Sequence, residues 1–350
     1  MELSIIIFLL GGLFLGWSLG ANDAANVFGT AVGTRMIRFR TAAILCSIFV
    51  ILGAIISGSG TTETLGKLGA INALPGAFAA CVAAGLSVYL MTRFGLPVST
   101  TQAIVGAIVG WNIYTGSSTN TKILITILST WILCPIIAGL IAMFFYVLAK
   151  KFINNSKLHI LRLDAYTRAA LILAGVFGAY SLGANNIANV MGVFVPISPF
   201  TDINIMNIFI FSSKEQLFLL GGIAIAIGVF TYSKRVMFTV GNDLSKMSPI
   251  SAFIVVISHS IVLFLFASQG IGNFLQSINL PSIPLVPVSS SQAVVGAVIG
   301  IGLLKGGKEI KWSIAGKISL GWFTLPVIAA FMCFIILFIL QNIFNLTVNF

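Results

Sequence analysis

The sequence predicts an all-α membrane protein of two inverted-topology repeats of transmembrane helices, with broken or re-entrant hairpin helices in each. Three observations predict it. The 350-residue chain is 58% hydrophobic and only 8% charged, whereas soluble domains carry about 25% charged residues. Eight apolar stretches are candidate spans, where about 20 residues, or fewer in a broken helix, cross a bilayer. Two short polar, Gly-rich phrases each occur twice, at matching places in the two apolar halves, a pattern that marks a membrane-embedded site between repeats.

Taken in order, the first stretch is Leu3 to Leu19. Residues 1–4 hold one Glu and no Lys or Arg, so it lacks the basic start of a cleaved signal and is expected to be a retained span. Spans at 42–58, 74–92 and 123–149 complete the first half, and spans at 169–182, 217–233, 250–268 and 313–341 make the second. The shorter apolar pieces 99–114 and 289–304 are thin for full spans and fit broken helices or hairpin arms. The expected organisation is a first repeat over 1–150, a cytoplasmic connecting loop over 151–168 and a second repeat over 169–350. Gly20-Ala-Asn-Asp-Ala-Ala-Asn26 returns 163 residues later as Gly183-Ala-Asn-Asn-Ile-Ala-Asn189, and Pro97-Val-Ser-Thr-Thr-Gln102 returns 190 later as Pro287-Val-Ser-Ser-Ser-Gln292. The second half therefore holds about 27 extra residues between its motifs.

Net charge is +11. The basic residues sit between apolar segments, so the positive-inside rule accounts for them better than nucleic acid does. With the N-terminus outside, all but three of the 19 Lys and Arg fall inside, among them Arg35, Arg38, Arg40, Lys150, Lys151, Lys157, Lys246 and Lys308. Lys67, Lys122 and Lys214 fall outside. This predicts a multi-pass plasma-membrane protein in a lipid bilayer, both termini outside and the central loop cytoplasmic. Cys46, Cys81, Cys134 and Cys333 lie singly in apolar stretches and read as packing thiols. The sequence does not determine the oligomeric state, and a homo-oligomer is left open.

Pro97 and Pro287 each precede a Ser-x-x-Gln capping signature, Ser99 to Gln102 and Ser289 to Gln292. Each phrase should start a helix within the membrane. A helix N-terminus offers unpaired N–H groups and the positive end of the dipole, which suits an anion. The hydroxyls of Thr100, Thr101, Ser290 and Ser291 and the Gln amides add donors. The bland alternative, that these residues only cap their own helices, is weakened by the duplication. Asp23 is placed at the end of an apolar span, where a carboxylate is costly unless paired or solvated. Asn22 and Asn26, at i and i+4, share one helix face. Carboxylate and amide oxygens are the hard ligands that cations such as Na⁺ prefer. An Asp beside an anion would repel it, so a cation between them, or a proton on the Asp, is expected. Plain helix capping and gluing is the alternative for these residues and for Asn185, Asn186 and Asn189. Glu63 and Asp243 read chiefly as solvated loop charges, and His259, in Ser258-His-Ser260, as a packing histidine before a proton relay.

These phrases resemble the inorganic phosphate transporter family, over essentially the whole chain. Further local likeness lies at Gly29-Thr-Ala-Val-Gly33, Thr62-Glu-Thr-Leu65 and Thr239-Val-Gly-Asn-Asp-Leu244. The resemblance implies a secondary transporter that takes up phosphate by symport with Na⁺ or H⁺, Na⁺ being favoured, with no other cofactor. It implies an anion site at Asn22, Ser99, Thr100, Thr101, Gln102, Asn185, Ser289, Ser290, Ser291 and Gln292. It implies a cation site from Asp23, Asn26, Asn186, Asn189 and the acidic position Glu63. Gln102 and Gln292 stand where many members have His, which tilts the coupling ion toward Na⁺, and Asn186 stands where many have Asp, which bears on the coupling stoichiometry. A sulfate permease of the same family is the alternative. A membrane-embedded enzyme would need an acid–base or nucleophile–base constellation that the sequence does not offer, and an anion channel would show flux independent of a cation gradient.

Overall fold

The computed structural model describes residues 3–69, 71–93, 98–155, 159–205, 209–243, 247–307 and 310–350. Pro97, Lys157, Lys246 and Lys308, and the side chain of Asp243, lie outside the described residues. The first half runs α1 (Leu3–Gly33), α2 (Phe39–Ser57), α3 (Ser59–Gly69), α4 (Leu74–Arg93), α5 (Thr100–Thr115) and α6 (Thr121–Asn155). The second runs α7 (Ile160–Met191), a 3₁₀ turn (Gly192–Ile197), a two-stranded antiparallel ribbon of β1 (Ile203–Ile205) and β2 (Phe209–Phe211), then α8 (Ser213–Thr231), α9 (Ser233–Asp243), α10 (Pro249–Ala267), α11 (Gln269–Ser277), α12 (Ser290–Leu304) and α13 (Trp312–Asn342). Eight of these helices are long and apolar enough to span a membrane. The protein is thus an all-helical membrane protein apart from one small ribbon.

The halves match helix for helix: α1 with α7, α2 with α8, α3 with α9, α4 with α10, α5 with α12 and α6 with α13. Close backbone contacts repeat with them. Gly20 on α1 lies against the backbone of Ile225 on α8, and Gly183 on α7 against Val50 on α2. Gly53 lies against Tyr180, and its counterpart Gly228 against Trp17. A Cβ at any of the four would strike main chain, so glycine sets these crossings. The first helix of each half therefore packs on the second helix of the other half. Gly53 and Gly228 are 175 residues apart, between the offsets of 163 and 190. The extra length of the second half is thereby divided: one insertion carries the ribbon between α7 and α8, the other carries α11 before α12.

Helices α6 and α13 face outward. Ile125, Ile132, Ile136, Leu140 and Phe144 on α6 are exposed, as are Leu320, Phe323, Val327 and Phe331 on α13. In water that surface would be an aggregation hazard; in a bilayer it is the lipid face. Each of these helices carries a proline, Pro135 or Pro326. Proline removes a helical hydrogen bond, which neighbouring helices can offset in membranes. Here α12 lays Gly296 on the Pro135 backbone and α5 lays Gly106 on that of Pro326.

Three expectations are corrected. Asp23 is not at the end of a span: α1 continues without a break through the polar phrase to Gly33. The phrase contains no proline, and its Asn22 and Asp23 side chains find partners on α4 and α5. Much of the stretch 151–168 expected as a loop is helical, α6 running to Asn155 and α7 starting at Ile160. The capping signatures are only half formed. Ser99 Oγ accepts from Gln102 N–H at 3.2 Å and Ser289 Oγ from Gln292 N–H at 3.2 Å. The Gln side-chain oxygens do not return to the cap backbone, because Gln102 Oε1 and Gln292 Oε1 have no partner. The reciprocal box is present at α8, between Ser212 and Glu215.

Candidate functional site

The N-termini of α5 and α12 meet in the buried interior. Thr101 Oγ1, on the first turn of α5, donates to the carbonyl of Val288 at 3.2 Å, one residue before the α12 cap. Both helices are short, 16 and 15 residues, and their first turns are buried. Ser99, Thr100, Thr101 and Gln102 are each 1% exposed, and Ser289, Ser290, Ser291 and Gln292 no more than 2%. The structure thus brings the two hydroxyl-bearing phrases together.

The polar phrases of α1 and α7 hold these N-termini in place, in the same manner in each half. Asn185 Oδ1 accepts from Val288 N–H at 3.0 Å, and Asn22 Oδ1 accepts from Val98 N–H at 3.4 Å. Asn22 Nδ2 donates to Thr92 Oγ1 at 2.8 Å. Turned over, the same amide would donate to Asp23 Oδ1 at 3.2 Å and Val98 O at 3.3 Å while accepting from Thr92. An ionised Asp23 favours the turned form, and a protonated Asp23 can donate to the Asn22 oxygen instead.

Asp23 is 2% exposed, and its Oδ2 accepts from Thr100 Oγ1 at 3.0 Å. A buried carboxylate with so few donors calls for a compensating cation or a proton. Across the interface, Asn189 Nδ2 donates to Thr101 Oγ1 at 2.9 Å and to Asn186 Oδ1 at 3.2 Å. Hydrogen bonds on the adjacent residues Thr100 and Thr101 therefore reach Asp23 of one half and Asn189, with Asn186, of the other. Asn26 lies three residues beyond Asp23, buried, with Nδ2 unpartnered. Oxygens suited to a hard cation lie along these contacts: the Asp23 carboxylate, the unpaired Asn189 Oδ1, the Thr101 hydroxyl and the Val288 carbonyl.

Glu63 is not part of this cluster. It is exposed on α3, and its carboxylate takes Lys67 Nζ at 2.7 Å. The lysine's hydrogen bond and charge hold the Glu63 carboxyl below its usual range.

Sequence reasoning set His259 aside, and the structure brings it in. It lies on α10, fully buried, with Nε2 2.9 Å from Ser290 Oγ and Nδ1 without a partner. Thr100 and Ser290 are equivalent positions of the repeat, yet Thr100 faces an acid on α1 and Ser290 a histidine on α10. The signal in the sequence was the polar island Ser258-His-Ser260 in an otherwise apolar span. Thr92, the support of Asn22, was also missed; nothing sets it apart in the sequence.

Buried polar atoms without partners concentrate at this site: Asn26 Nδ2, Gln102 Oε1, Asn186 Nδ2, Asn189 Oδ1, His259 Nδ1 and Gln292 Oε1. Interiors satisfy most such groups, and clusters of exceptions mark places where a ligand, ion or water belongs.

Comparison with known proteins gives the family. The family model described as the phosphate transporter family matches residues 19–272 and 282–349. A protein of Methanocaldococcus jannaschii provisionally named a phosphate permease is 30% identical, over 96% of this chain and 98% of its own length. A Pyrococcus abyssi protein with the same provisional name is 28% identical, over 93% of this chain and 96% of its own. Among solved structures, one titled the sodium-dependent phosphate transporter shares the fold, with a TM-score of 0.77 at 24% identity over 97% of this chain and 99% of that one. With the family model covering nearly the whole chain and both duplicated phrases inside it, this multi-pass membrane protein belongs to the phosphate transporter family.

Proposed function

We propose that the chain imports inorganic phosphate by symport with a cation, Na⁺ ahead of H⁺, and that its two halves have inverted topology in the plasma membrane with both termini outside. The anion binds between the N-termini of α5 and α12, on the hydroxyls of Ser99 to Thr101 and Ser289 to Ser291 and the amides of Gln102, Gln292, Asn22 and Asn185. The cation binds at Asp23, Asn26, Asn186 and Asn189. The observation that carries this reading is the juxtaposition of two buried helix N-termini with one buried carboxylate. The dipole ends favour an anion, the carboxylate opposes it, and a cation between them removes the conflict.

Na⁺ is supported by the all-oxygen character of the candidate ligands and by the name of the similar solved structure. Sulfate is the alternative cargo. Phosphate near neutral pH carries at least one O–H donor, which sulfate lacks. A site with an acceptor favours the protonated anion, since an anion without the donor leaves that acceptor unpaired. The Asp23 carboxylate provides such an acceptor.

The test is uptake of radiolabelled phosphate and sulfate into proteoliposomes with Na⁺ and H⁺ gradients imposed separately. Phosphate accumulation that follows the Na⁺ gradient is expected. Accumulation of sulfate in preference to phosphate, or flux indifferent to both gradients, overturns the reading.

A further inference from the structure

We propose that Trp131 and Trp322 are positioning residues of the anion site. In the anion-bound state each indole N–H holds the side-chain oxygen of a glutamine on the adjacent short helix, Trp322 that of Gln102 and Trp131 that of Gln292. Each amide's N–H₂ is thereby turned to the anion. The inference rests on the placement of the anion at these helix N-termini.

Register carries the first part of the argument. Gly106 of α5 lies on the Pro326 backbone of α13, and Gly110 on that of Ala330. The two helices therefore run parallel with positions 106 and 110 facing 326 and 330. One turn earlier on the same stripes, Gln102 faces Trp322. In the other half Gly296 lies on the Pro135 backbone and Gly300 on that of Gly139. One turn earlier, Gln292 faces Trp131. Each tryptophan stands four residues before the proline of its helix, at the same place in each repeat.

Chemistry carries the second part. Trp131 Nε1 and Trp322 Nε1 are buried donors without partners, and Gln102 Oε1 and Gln292 Oε1 are buried acceptors without partners. Each facing pair thus lacks what the other has. An unpaired buried polar group costs about 1–3 kcal/mol, and no bulk water reaches the hydrocarbon core to relieve it. The Gln oxygens are free because the capping signatures are only half closed. The two groups of each pair are not hydrogen-bonded in this conformation, so a side-chain rotation or one bridging water completes the pair. A glutamine fixed by its oxygen can present only its N–H₂ elsewhere, which is the end an anion needs.

The experiment is a double-mutant cycle on phosphate uptake in proteoliposomes. Trp322→Phe and Trp131→Phe keep a ring and remove the N–H. Each is expected to raise the phosphate KM about tenfold with little change in thermal midpoint. Gln102→Leu should raise KM by more, and adding Trp322→Phe to it should then change nothing. Trp131→Phe added to Gln102→Leu should multiply the two effects, because those residues belong to different pairs. Wild-type KM in both Phe variants, or multiplication within a facing pair, overturns the proposal and leaves the tryptophans as packing groups. Wild-type KM in both Gln102→Leu and Gln292→Leu sinks the anion placement itself, and this proposal with it. A measurement on the unmodified protein guards against misfolded variants. Two of its five indole N–H resonances should move downfield when phosphate and Na⁺ are added, and no such movement also overturns the proposal.

Discussion

Thr100 shows how much one hydroxyl can be asked to do. It has a single proton, and in this conformation that proton goes to Asp23. It can donate to an anion only if Asp23 acquires a proton or takes a cation and releases it. The charge state of Asp23 thus governs a donor of the proposed anion site directly. Asp23→Asn removes the charge but not the shape. The variant should bind phosphate with altered affinity yet fail to concentrate it against a gradient in proteoliposomes. Accumulation at the wild-type level would remove Asp23 from the coupling site. The equivalent hydroxyl, Ser290, is held by His259. His259→Ala leaves a cavity in a fully buried place and strips Ser290 of its partner. A loss of about 3 kcal/mol is expected from the two effects together, read as a lowered thermal midpoint in detergent. An unchanged midpoint would mean that the histidine is dispensable for packing.

At the scale of the element, glycine decides which helices touch. Gly183 lies on the backbone of Val50 with no room for a methyl group, whereas Gly316 on α13 has open space around it. Gly183→Ala should force α7 away from α2 and cost about 1–3 kcal/mol or more. Gly316→Ala should be neutral or stabilising by up to about 1 kcal/mol, since alanine is the better helix former. Thermal unfolding of the two variants side by side checks this, and equal midpoints would show that the close crossing carries no energy. The short helices α5 and α12 belong to this scale too. They were legible as broken helices because Pro, Ser and Gln stand at fixed spacing before a run of apolar residues. The half-closed caps were not legible, because whether a Gln side chain returns to its own backbone depends on what the neighbouring helix offers it.

At the scale of the molecule, the two halves share one site, and each supplies both an N-terminus and the asparagines that hold it. Val98 and Val288, which precede the two caps, are both buried, and their backbone N–H groups are held by Asn22 and Asn185. Neither side chain is open to solvent in this conformation. In a protein of inverted halves, opening one side is the mirror of opening the other, and the ligands need shift the balance by only a few kcal/mol. Cysteines at Val98 and Val288 should change thiol accessibility in opposite senses when phosphate and Na⁺ are added together, and much less with either alone. Changes in the same sense would rule out reciprocal gating.

By itself the sequence determined the class, the spans and the duplicated phrases. Apolar length, charge asymmetry and repeated capping spacing are local properties, and they survive being read one residue at a time. It also nominated most of the polar residues that meet in the interior, since buried Asn and Asp in a membrane span are rare enough to stand out. Only the tertiary structure decided that α1 runs unbroken through Asp23, because a polar phrase continues a helix when other helices satisfy its side chains. Only the structure excluded Glu63 from the buried cluster and admitted His259, because burial and partner choice are set by which helices cross. The Trp131 and Trp322 pairs depend on the register of α5 with α13 and of α12 with α6. That register follows from glycine contacts between segments more than a hundred residues apart in the chain, a distance over which no local pattern carries information.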